Sequence, residues 1–110
     1  MFRMMLWFGI ALALVGGFAP ATATGAAATP RVHVIVIDKM VFGPMPADVR
    51  AGDIIEWANH GILEHSATAR DGSFDVDLKP GATVRMTAKA GSFAVFCKFH
   101  PTMQANLVVK

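Results

Sequence analysis

The segment Phe96-Cys97-Lys98-Phe99-His100-Pro101-Thr102-Met103 holds the only cysteine of the chain, a histidine three positions on and a methionine three positions further. A strand end followed by a tight turn can aim all three side chains at one point. Thiolate, imidazole and thioether are soft donors, and soft sulfur favours copper. Two imidazoles and a thiolate with a weak axial thioether form the pattern of a centre that exchanges single electrons. The loop alone is short of one imidazole. Residues 58–69, ANHGILEHSATA, offer two. His65 is the better candidate, because it opens Ser66-Ala67-Thr68-Ala69, a new strand, and so stands at a strand end that can face the second loop. His60 reads as a solvent-facing loop residue and His33 as a strand residue with no metal role. Taken singly, each residue has a bland reading: Cys97 as a buried thiol, His65 and His100 as satisfied loop histidines, Met103 as core filler. Their joint occurrence is what points to a metal.

The elements that must position these residues are strands. Val32 to Asp38 (VHVIVID) is β-branched and nearly continuous, and Asp53 to Asn59 (DIIEWAN) follows the Ala51-Gly52 turn. The clearest period lies in Ala82 to Lys89, where Val84, Met86 and Ala88 alternate with Thr83, Arg85, Thr87 and Lys89. Pro80-Gly81 opens that strand and Ala90-Gly91 closes it. Residues 92–97, SFAVFC, run up to the cysteine, and residues 105–109, ANLVV, finish the chain. Turn signals recur at short intervals and no long stretch carries a helical period, so the expected fold is an all-β sandwich. Trp57, Phe74 and Met86 read as core residues, and Met40 and Met45 as core or exposed rim.

At 110 residues the chain provides one domain at most. Residues 1–23 have the order of a secretory signal peptide: Arg3, an apolar run from Met4 to Val15, small residues, and Ala21-Thr22-Ala23 as an A-x-A cleavage site. That run is shorter than the roughly 20 residues that span a bilayer, although an uncleaved membrane anchor is the alternative reading, and Ala26-Ala27-Ala28 offers a second cleavage site. Residues 24–30 read as a flexible mature N-terminus and residues 31–110 as the folded domain. Export sharpens the meaning of the lone Cys97, since small exported domains usually carry cysteines in pairs. An unpaired thiol there is buried, bridged to another chain, or protected by a metal. The formal charge of +2 includes Arg3 and gives no footprint for nucleic acid or an anionic membrane.

The paired segments Asn59-His60-Gly61-Ile62-Leu63-Glu64-His65-Ser66 and Cys97-Lys98-Phe99-His100-Pro101-Thr102-Met103 resemble those of the cupredoxins, the small blue copper proteins, and within them the amicyanin- and plastocyanin-like group. The likeness extends to GDIIEW, DGSFD and PGATV and covers most of residues 31–110. It implies a Greek-key β-sandwich, one Cu(I)/Cu(II) ion per chain, His65, Cys97 and His100 as trigonal ligands and Met103 as the axial one. Ser66 stands where the family fixes the two ligand loops and donates toward the thiolate. Phe93 and Phe96 stand where the family often has Tyr, and Glu64 replaces a frequent Pro. The resemblance further implies a monomeric periplasmic carrier, not an enzyme, that shuttles electrons between redox proteins such as a c-type cytochrome or a dehydrogenase. Its docking surface would be apolar, around His100, with Pro101, Phe99, Leu63 and either Met45 or Pro44 as rim. The alternative use of the same ligands is copper delivery, buffering or tolerance. A third reading is an exported β-sandwich interaction domain without metal.

Overall fold

The computed structural model describes residues 16–17 and 29–110. The expected signal peptide and most of the expected flexible N-terminus lie outside the described residues. The domain consists of eight strands: β1 (Val32–Asp38), β2 (Val41–Phe42), β3 (Ile54–Asn59), β4 (His65–Ala69), β5 (Asp75–Leu78), β6 (Thr83–Thr87), β7 (Gly91–Phe96) and β8 (Gln104–Val109). They form two four-stranded sheets, ordered β2-β1-β3-β6 and β5-β4-β7-β8. The chain passes between sheets after β3, after β5 and again after β6, so neither sheet is a simple meander. The all-β sandwich read from the sequence is the fold that forms, and no helix occurs among the described residues.

Alternation decides what each strand buries. Ile35 and Ile37 of β1 and Ile55 and Trp57 of β3 meet Ala67, Leu78, Val95 and Leu107 of the other sheet in one core cluster. Trp57 is fully buried, and Phe74, Met86 and Met45 pack against this cluster from partly buried positions. Met40 is exposed instead. It belongs with Lys39 to the two-residue hairpin loop between β1 and β2, where Asp38 pairs with Val41. Both loop residues have positive φ, 52° and 64°. A mirror-image turn of this kind matches the twist of the strands and requires left-handed backbone at both positions. Just beyond β2, the Gly43 N–H donates to the Val36 carbonyl at 2.7 Å. A Cβ at Gly43 would stand 2.8 Å from that oxygen, so the close approach needs glycine.

Strand β1 pairs in parallel with β3, from Val32 with Ile54 to Ile37 with Asn59. Asp53, at the start of this pairing, pins it. Its carboxylate accepts the N–H groups of Arg31 and Arg50, each at 3.0 Å, and lies 2.9 Å from His33 Nε2. These bonds hold its carboxyl down to about 2, the Arg50 amide having the largest effect and His33 the next. His33 is thus a structural partner of Asp53. The other end of β3, at Asn59, leads directly into the loop that ends on His65.

Candidate metal centre

The β7–β8 register sets the geometry of the second loop. Phe96 pairs with Gln104, so the next pair outward is Cys97 with Met103, side chains on one face. The Cys97 N–H donates to the Met103 carbonyl at 3.1 Å. Inside that closure the His100 N–H donates to Cys97 O at 3.3 Å and the Met103 N–H donates to His100 O at 2.9 Å. Cys97 and Met103 therefore continue the inward-facing rows of β7 and β8 past Val95 and Leu107, and both are buried. Pro101 follows His100 at the turn, leaving the histidine half-buried at the tip.

The first loop is tied by Asn59, which is fully buried. Its Nδ2 donates to the carbonyls of Leu63 at 2.8 Å and Leu78 at 3.0 Å, with Lys79 O at 3.2 Å, and its Oδ1 accepts the Gly61 N–H at 2.8 Å. Residues 60–64 are wound around this amide, delivering His65 to the first position of β4 with 1 % of its surface exposed. Glycine at 61 leaves room for the ring, because a Cβ there would lie 3.2 Å from both Asn59 Oδ1 and His65 Nε2. With Nε2 on the Gly61 side, Nδ1 faces Cys97 Sγ at 3.8 Å. The His65 and His100 rings lie 5.1 Å apart, centroid to centroid, tilted by 59°. Burial, and secondarily the neighbouring His100, push the His65 pKa below the usual histidine value. His65 is therefore neutral near pH 7, with a lone pair available.

Among the described residues, no three His, Cys, Asp or Glu side chains close into a ready-made cage. His65 and Cys97 form the tight pair, with His100 beside them and Met103 across the strand from the cysteine. The donor chemistry fits a soft metal ion: one unpaired thiol, two imidazoles and a thioether, where Mg2+ or Ca2+ would call for oxygen ligands. The Ser66 N–H also points at Cys97 Sγ, at 3.4 Å, as it would toward a thiolate.

Of the remaining residues, Ser66 joins the two loops, its Oγ accepting the Lys98 N–H at 2.8 Å. Phe93 packs on Phe74 in the core, and Phe96 lies under the Arg70 guanidinium, 4.4 Å from its ring. His60 is exposed, its N–H donating to Ile37 O at 2.8 Å. The surface beside the ligand loops is apolar: Ile62 is 91 % exposed, and Leu63, Phe99 and Met40 are also exposed. Met45, a rim candidate from sequence, packs instead against the core. Asn59 is a site residue beyond those expected from the sequence, although an Asn at a strand end before His-Gly is a signal of a side chain that organises a turn.

The sequence matches the family model of the cupredoxin-like domain over residues 8–109, and the chain belongs to that family. It is similar to the amicyanin of Paracoccus versutus, with 27 % identity over 93 residues that make up 77 % of this chain and 70 % of that protein. The fold is similar to the crystal structure of Paracoccus versutus amicyanin, at a TM-score of 0.59 and 22 % identity, covering 78 % of this chain and 86 % of that one. It is also similar to a purple cupredoxin from Nitrosopumilus maritimus, at a TM-score of 0.60 and 18 % identity, covering 70 % and 98 % of the two chains.

Proposed function

We propose that the protein carries single electrons at one type 1 copper ion held by His65, Cys97, His100 and Met103. The observation that carries this reading is the 3.8 Å approach of His65 Nδ1 to Cys97 Sγ, two donors that are both buried. Copper, when bound, supplies a reversible one-electron couple. The chain supplies the rest. Cys97 gives a thiolate, stabilised by the Ser66 amide, and His65 gives Nδ1 from a ring fixed between Asn59, Gly61 and the sulfur. Met103, held across from Cys97 by the strand register, would add a weak thioether donor. His100, the half-buried member, is the edge through which a partner reaches the centre, and Leu63 and Phe99 provide apolar contact around it. Burial of His65, Cys97 and Met103 would limit rearrangement between oxidation states. The chain acts as a carrier and not an enzyme, since its four donors fill the coordination set.

The similarity to amicyanin supports a periplasmic carrier that exchanges electrons with redox proteins such as a c-type cytochrome or a dehydrogenase. The mature protein then begins near Thr24, which intact-mass measurement of an exported preparation would test. Copper loading with visible and EPR spectroscopy tests the centre. One copper per chain and an intense charge-transfer band are expected, and Cys97→Ser should abolish the band even where some copper stays bound. A colourless wild-type protein after loading and oxidation would rule out the type 1 site. Slow electron exchange with a cytochrome by a coloured protein would instead favour copper delivery or buffering.

A further inference from the structure

A ring of hydrogen bonds starts and ends on one residue of the ligand loop. The Lys98 backbone N–H donates to Ser66 Oγ at 2.8 Å, and Ser66 Oγ lies 2.9 Å from Thr68 Oγ1. Thr68 Oγ1 donates to Asp75 Oδ1 at 2.9 Å. The Asp75 carboxylate accepts from the Lys98 ammonium, at 2.9 Å to Oδ1 and 3.0 Å to Oδ2, and Asp77 Oδ1 accepts from the same nitrogen at 2.8 Å. The proton directions follow by elimination. Thr68 spends its one hydroxyl proton on Asp75, so it accepts from Ser66, and Ser66 in turn accepts from Lys98. Register puts the groups on one face, since Ser66 pairs with Asp77 and Thr68 with Asp75 across β4 and β5. This is the outer face of β4, opposite His65, yet Ser66 is fully buried and Thr68 is 8 % exposed.

The strength of the ion pairs does not explain the arrangement. The Asp75 and Asp77 side chains are more than half exposed, and such ion pairs are worth little in water. What the ring does accomplish is to fix Ser66 from both sides of its hydroxyl, and the backbone N–H of that same residue is the donor aimed at Cys97 Sγ. Hydrogen bonding at the cysteine sulfur is a lever on the potential of a copper–thiolate centre. An N–H on the sulfur withdraws charge from it and weakens its donation, which costs Cu(II) more than Cu(I). We propose that Thr68 and Lys98, through Asp75, are positioning residues that hold the Ser66 amide on the Cys97 sulfur and so keep the reduction potential high. This inference rests on the copper reading of the site.

Thr68→Val tests it without changing charge. The Ser66 hydroxyl loses its acceptor in a buried place and must turn, taking its lone pairs from the Lys98 N–H and loosening the Ser66 amide. The copper form of this variant should keep its metal, shift to lower potential and move its charge-transfer band. Thr68→Ser, which restores the hydroxyl, should return both to wild-type values. The charge-balanced pair Asp75→Asn with Lys98→Met opens the same ring at exposed positions, and should lower the potential even where Thr68→Val folds poorly. In metal-free protein the Lys98 amide should exchange its hydrogen about tenfold faster in Thr68→Val than in wild type. Potential and band unchanged in folded, copper-loaded Thr68→Val, or in the double variant, would overturn the proposal. So would unchanged amide exchange, a result that does not depend on copper. A wild-type protein that takes up no copper but shows the faster exchange in the variant would overturn the copper reading and leave the ring intact.

Discussion

Asn59 organises more of the first ligand loop than any residue that would touch the metal. Its amide serves carbonyls at residues 63, 78 and 79 and the Gly61 N–H, all from one buried position. Asn59→Ala would strand those groups without replacing them. The expected loss is about 2–4 kcal/mol, from the unpaired buried groups and the missing bonds. Denaturant titration of the metal-free variant measures it, and a loss below about 1 kcal/mol would mean that water or a shifted loop takes over. Met103 is a different case, since it is expected to tune the metal more than to hold it. Met103→Leu conserves volume in a buried position. It should keep copper and raise the potential, because loss of a weak donor disfavours Cu(II) most. Voltammetry would decide, and a lowered potential in an intact variant would contradict a role for Met103 as a weak donor.

Among the elements, the β1–β2 hairpin carries avoidable strain. Lys39 and Met40 both have a Cβ and both sit at positive φ, where an L-residue other than glycine or asparagine is disfavoured by about 1–2 kcal/mol. Asn-Gly is the sequence this loop geometry prefers. Lys39→Asn with Met40→Gly should therefore stabilise the domain by about 1–2 kcal/mol, seen as a higher denaturation midpoint with unchanged slope. An unchanged or lower midpoint would show that the native side chains make compensating contacts. Met40 is exposed on the apolar rim beside Leu63, and natural strain tends to gather where function needs a side chain displayed.

At the scale of the molecule, the candidate centre and the Asp53 cluster occupy opposite ends of β3. Asp53, depressed from 3.8 to about 2, contributes stability that is fully present above 3.8 and is lost as pH falls through about 2. Asp53→Asn should lower stability at neutral pH and flatten the fall between those values, as followed by unfolding at a series of acid pH values. A wild-type curve already flat over that window would contradict the linkage. Much of this molecule was legible in the sequence. Cys97, His100 and Met103 are chemically rare types at fixed spacing, and β6 shows its period because one face is wet. Other features escaped because they depend on register between distant segments. Nothing local says that Thr68 stands opposite Asp75, that Lys98 reaches over to both acids, or that β1 runs parallel to β3 with Asp53 at its foot. Strands as short as β2 carry too few residues for a period to show. Trp57, correctly read as core, is fully buried between Phe42 and Phe74, with ring centroids 6.1 and 6.2 Å away, and its Nε1 has no hydrogen-bond partner among the described residues. An indole so isolated from water and from dipoles that could relax around its excited state should fluoresce at the blue end of the tryptophan range. In a chain starting at residue 24 it is the sole tryptophan, so its emission reports one place in the interior. Copper uptake should dim that light without changing its colour, whereas unfolding should shift it to the red, allowing occupancy and folding to be followed separately in one cuvette.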